Sequence, residues 1–183
     1  IQEQLANAIW KASGAKHITL FFLTPKKGLS YWLVHLSKVY RARDVMMDLH
    51  WKHANTSSDF SHYLNHGLFS LGYKAQKDAG QEILLFEDEF NFGQECEQKC
   101  IDSLSQELPR LIHHGTQNIN FSKLVDLIGS NTPASEEQIK KALQQPIETG
   151  EIIVSTKTGG IRRKANQISP EDTIKYAQKQ LFI

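Results

Sequence analysis

The 183-residue sequence has two cysteines, five prolines and a formal net charge of only +1. Each scarcity excludes something. Cys96 and Cys100 stand four apart, and without a third or fourth cysteine an iron–sulfur cluster lacks ligands. The same spacing on a helix rarely gives good disulfide geometry, so both read as reduced thiols on a cytoplasmic helix. No run of 18 apolar residues occurs, and no charged-then-apolar leader opens the chain, so neither membrane insertion nor secretion is expected. HExxH is missing as well. The pairs His50/His53 and His62/His66 therefore read as packing or surface residues, and no metal ligand is assigned. GxSxG and a glycine-rich fingerprint behind a strand are also missing, so no catalytic or cofactor-binding residue is assigned.

With so small a net charge, any argument about partners must rest on local patches. Residues 14–53 carry seven Lys/Arg and two acids, and residues 78–107 carry one Lys and nine acids. Residues 115–183 are mixed, with nine basic and seven acidic residues.

Residues 2–12 have helical composition, with Leu5 and Ile9 on one face and Gly14 at the stop. Two apolar runs then flank Pro25-Lys26-Lys27-Gly28, which predicts a hairpin with strands near 17–24 and 31–38. The first run is apolar on both faces (Ile18, Leu20 and Phe22; Phe21 and Leu23), as in a strand covered on both sides. A lone hairpin is marginal in water, so a missing N-terminal portion or another chain is expected to cover it. The first residue, Ile1 rather than Met, fits a piece of something longer. Residues 40–55 predict a helix with Val45, Met46, Leu49 and His53 as its stripe. Residues 56–80 read as irregular, with a turn at Gly72, and 83–90 as a short strand or loop. A helix over 94–113 has Ile101, Leu104, Leu108, Leu111 and Ile112 inward, with Pro109 expected to kink or break it.

The last third has the plainest pattern. Phe121, Leu124, Val125 and Ile128 mark one helix. A turn follows, then Ser135-Glu136-Glu137-Gln138, a capping-box start for a helix reaching about Gln145. Pro146 either ends that helix or starts a further turn holding Ile147. Residues 151–165 predict a hairpin with a Lys157-to-Gly160 turn, and 168–180 a closing helix after Ser169-Pro170. Helix, turn, helix and hairpin in this order is the winged helix-turn-helix arrangement. The candidate nucleic-acid-binding residues are Gln138, Lys140, Lys141 and Gln145 on the second helix, where Gln and Lys can address base edges. On the wing they are Lys157, Arg162, Arg163 and Lys164, as phosphate contacts. Glu136 and Glu137 oppose phosphate at the same helix start, so a protein-docking or dimerisation surface is the rival reading.

The stretch from Lys16 to Asn55 resembles the three-Cys-motif partner (TcmP) family, through Tyr31, Trp32 and Leu33, then Val45, Met46 and Trp51. Thr132, Pro133, Gly150, Glu151, Ile152, Gly159, Gly160 and Arg162 are similar to that family's C-terminal region. The resemblance covers roughly residues 1–170. It implies an α+β chain, the terminal hairpin and helices of a Rossmann-like methyltransferase sheet followed by a winged helix. It places residues 1–55 in the methyltransferase-like part, 56–93 in a connector and 94–183 in the winged helix. It also implies S-adenosylmethionine in the parent protein, bound by no residue of this chain, and a radical-enzyme partner with three cysteines. The function expected is nucleic-acid binding, DNA first, by a module appended to a cytoplasmic methyltransferase-like protein. The alternative is the C-terminal part of the methyltransferase itself.

Overall fold

The computed structural model describes residues 2–25, 27, 29, 31–53, 60–64, 71–72, 90–115 and 118–177. Helix α1 (Gln2–Ser13) leads through Gly14, at φ 64°, into strand β1 (His17–Pro25), which pairs antiparallel with β2 (Tyr31–Ser37). The hairpin expected from the two apolar runs is present, and β1 is covered on both faces. Ile18 and Leu20 pack against Ala6 of α1, with Trp10, Trp32, Val34 and Leu36 around them. On the other face Phe21 stacks on His50 of α2 (Tyr40–His53), with ring centroids 3.4 Å apart.

Two expectations for this half are corrected. Residues 56–80 are not all irregular. β3 (Phe60–Leu64) pairs with β1, and β4 (Phe90–Asn91) pairs with β3, giving the order β2-β1-β3-β4. The chain thus supplies two of the strands that were expected from elsewhere, and among the described residues β2 is at an edge. The helix over 40–53 forms, but its stripe is different. Arg43, Asp44, Met47 and His50 are buried, while Val45 and Leu49 are each about half exposed and His53 is exposed. The neighbours decide the rotation. Backbone carbonyls attract Arg43, and the Phe21 ring takes His50, so polar side chains occupy the inner face. The expected turn at Gly72 has a positive φ of 66°. The run 83–89 lies outside the described residues, as does His66.

Helix α3 (Gln94–Gly115) runs through Pro109 without a break. Pro109 is buried with Cys100, Leu104, Leu108 and Ile112, and this packing offsets the lost backbone hydrogen bond. Burial pushes the Cys100 thiol up, so it stays protonated. After β5 (Asn118–Asn120) comes α4 (Phe121–Ile128), whose Phe121, Leu124, Val125 and Ile128 are all buried as expected. Helix α5 (Glu136–Glu148) turns Ile139, Ala142 and Leu143 inward and continues through Pro146, with Gly150 at φ 69° just past its end.

The wing is β6 (Ile152–Ser155) paired with β7 (Ile161–Arg162). The closing helix expected at 168–180 is overturned. A 3-10 turn (Ala165–Gln167) leads to β8 (Thr173–Tyr176), which lies between β5 and β6. The order β5-β8-β6-β7 leaves β8 no open edge, and its buried Ile174 alternates with exposed Lys175. Ser169-Pro170 starts a tight turn instead of a helix. The carbonyls of Pro170 and Asp172 accept from the backbone N–H groups of Ser122 and Phe121, satisfying the start of α4.

The two sheets are joined by polar links as well as packing. Asp126 of α4 takes Lys16 and lies 3.0 Å from His17 Nε2. The Ile18 N–H donates to Ser130 Oγ, Trp51 Nε1 to the Pro133 carbonyl at 2.9 Å, and the Leu71 N–H to the Asn131 carbonyl. Gly72 sits against α3, where a Cβ would meet Leu104 Cγ at 2.8 Å and Cys100 Sγ at 2.9 Å. Gly72→Ala adds a left-handed backbone penalty to that clash and should cost about 2–4 kcal/mol in urea unfolding. A loss under about 0.5 kcal/mol would show that this turn is not packed as described.

Candidate nucleic-acid interface

The second helix of the motif begins with a complete capping box. Ser135 Oγ accepts from the Gln138 N–H, and Gln138 Oε1 accepts from the Ser135 N–H at 2.9 Å. That reciprocity removes Gln138 from the outward face. Its side chain is only 3% exposed, so the expectation that it addresses a base is corrected.

Helix α2 covers the same end of α5. Asp44 Oδ1 accepts from the Glu136 N–H at 2.7 Å, a donor that the first turn of a helix leaves unpaired. Arg43 is fully buried and donates to the Ala134 carbonyl at 2.5 Å and to the Thr132 carbonyl. Burial raises the Asp44 carboxyl from its ordinary value, opposed by the Glu136 N–H. Burial likewise lowers the Arg43 guanidinium, opposed by Tyr40 and Asp44. Arg43 and Asp44 are absent from the stripe expected for α2, which is drawn from its apolar residues. Their signal was position: 43, 47 and 50 are one helical face.

The lysines of α5 stand beside acids. Lys140 lies 2.8 Å from Glu136 and over the Phe121 ring. Lys141 lies 3.2 Å from Glu137 and 3.4 Å from Glu97 of α3. Gln145 is exposed on the α3 side, 3.4 Å from Ser105 Oγ. Gln144, on the wing side, accepts from the Ala165 N–H at 2.7 Å and donates to Glu148. It thereby ties helix to wing.

The wing turn is built on Thr156, whose backbone N–H donates to the Gly160 carbonyl and whose hydroxyl accepts from the Gly160 N–H. Gly159 has φ 88°, which a side chain would strain. Lys157 stands at the tip, 81% exposed and 3.4 Å from Glu171. Arg162 is held at 2.9 Å by the buried Asp172 and serves the fold. Arg163 and Lys164 are exposed, and among the described residues they make no ion pair. Lys164, Lys140 and Lys141 line one cleft of about 850 Å3, together with Arg41, Asp44, Asp48, Glu136 and Glu137. Cations from helix and wing therefore do share a surface, but acids line it as well. Among the described residues no group of three or more His, Cys, Asp or Glu side chains is placed to hold a metal ion.

The model of the GMT-like wHTH domain matches residues 72–159, from the Gly72 turn through α3, α4, α5 and β6 to the wing turn. A winged helix-turn-helix domain is present. The match spans just under half of the chain and ends at Gly159, before Arg163 and Lys164. No curated protein and no solved structure matches the chain. Winged helices commonly bind nucleic acid, and no helix among the described residues is long and apolar enough to cross a membrane.

Burial alone would raise the Asp172 carboxyl, but the Ser169 N–H and the Arg162 guanidinium outweigh it and hold it below its ordinary value. The stability this gives is complete above about pH 4, the unfolded carboxylate range, and is lost as pH falls through the lower folded value. Asp172→Asn should lower stability near neutral pH by about 1–3 kcal/mol and flatten that acid limb. Urea midpoints across the acid range test this, and an unchanged acid limb contradicts it.

Proposed function

We propose that this chain binds nucleic acid, DNA first, and that the wing and the adjoining flank of α5 grip the phosphate backbone. The observation that carries the reading is the exposed Arg163–Lys164 pair, free of acidic partners among the described residues and continuous with the cleft that Lys140 and Lys141 line. Lys157 adds a further exposed cation at the wing tip, 3.4 Å from Glu171. Arg162 holds the wing stem to Asp172, and Gln138 holds the helix start. Phosphate neutralisation by Lys and Arg releases counterions and makes affinity fall steeply with salt.

The finer placement is a module of the TcmP family, appended to a cytoplasmic methyltransferase-like part. Residues 1–55 would be the end of that part and 94–183 the winged-helix domain, while 56–93, expected as a connector, also adds β3 and β4 to the first sheet and holds the start of the family match. What supports it is an antiparallel hairpin between α1 and α2 whose outer strand β2, among the described residues, pairs on one side only, with Tyr31 and Leu33 exposed. On this reading the parent protein binds S-adenosylmethionine and residues 1–183 alone do not. The three-cysteine radical enzyme remains the partner that the resemblance implies.

A labelled DNA duplex followed by anisotropy at low salt tests the main reading. Binding in the roughly micromolar range is expected, with Arg163→Ala/Lys164→Ala reducing the slope of log K against log salt by about 2. No binding at low salt, or an unchanged slope in the double variant, overturns it and favours a protein-docking wing.

A further inference from the structure

Resting on that reading, we infer that the target class is duplex DNA without regard to base sequence, because the end of α5 that would read bases is closed. Three observations converge. Specific readers of this type put the first residues of the second helix against base edges in the major groove. Here the Glu136 N–H is bonded to buried Asp44, and the turn before it is held by Arg43 and Trp51. The side chains of the first turn of α5 are Glu136 and Glu137, which repel phosphate, and Gln138, which is consumed by the cap. Further along, the amide oxygen of Gln144 is taken by the Ala165 N–H of the wing stem, and Gln145 lies on the side of α3. The groups left to meet DNA are cations, and an ammonium or guanidinium on a phosphate positions the duplex without reading it.

The closed end also sets a direction for engineering. The Glu137 side chain is 69% exposed and pairs with Lys141, so Glu137→Gln keeps the fold and removes one acid from the cleft, leaving Lys141 with Glu97 as its acidic partner. That variant should bind every duplex several-fold more tightly at low salt.

The test is selection from a pool of random-sequence DNA duplexes by the full chain, with bound fractions sequenced. The expected result is retention of duplex without an enriched motif. Pairwise affinities should differ by less than about tenfold, against a thousandfold or more for specific readers. Arg163→Ala/Lys164→Ala should weaken all sequences equally. An enriched motif preferred by more than about a hundredfold overturns the inference while leaving nucleic-acid binding intact. Retention of no duplex removes the underlying reading as well. Tighter binding of only some sequences by Glu137→Gln also counts against the inference, since it would mean that the helix reads.

Discussion

A guanidinium with no access to water must find its acceptors in the protein, and Arg43 finds them in the turn between α4 and α5. An unpaired buried charge costs several kcal/mol, and removing the partner of a buried one typically costs about 3–5 kcal/mol. The Thr132 and Ala134 carbonyls therefore cannot move away from α2 without a large loss. Asp44, one residue on, takes the adjacent Glu136 N–H. Two consecutive residues of α2 thus fix the turn and the first residue of the second helix. The orientation of the winged helix relative to the first sheet follows from this clamp, supported by the Trp51, Ser130 and Asp126 contacts on either side.

The clamp also distributes the chemistry of the surface. It covers the start of α5 with a carboxylate, where a reading helix would present hydrogen-bonding side chains to bases. What remains for a ligand is the cationic edge along the wing and the lysines of the α5 flank. Pairing with Glu136, Glu137 and Glu97 weakens the lysines. Arg163 and Lys164 are exposed and have no acidic partner among the described residues. The balance is decided by these neighbours, which is why a net charge of +1 says so little about binding.

Much of the winged helix could be read from residues in order. The apolar period of α4 and α5, the Ser135–Gln138 cap and the glycines of the wing turn are local features, and each stands where the sequence places it. The first hairpin was legible for the same reason. What failed depended on contacts distant in sequence. The closing segment became β8 because two strands lacked a partner between them, a demand no window of residues 168–180 contains. The inner face of α2 is not legible locally because Arg43 and Asp44 are charged, and only carbonyls and an N–H group about ninety residues on make their burial favourable. At the candidate interface, Gln138 has a side chain of the base-reading kind, but the capping box takes it. A capping glutamine cannot also face a base.

The most direct test of the clamp is amide hydrogen exchange at Glu136, followed by NMR. In the first turn of an uncovered helix this N–H exchanges nearly as fast as in an unfolded chain. With its proton donated to buried Asp44, it should be protected like the helix interior, and Asp44→Ala should abolish that protection while the amides of β6 keep theirs. Fast exchange of the Glu136 amide in the unmodified chain would contradict the account.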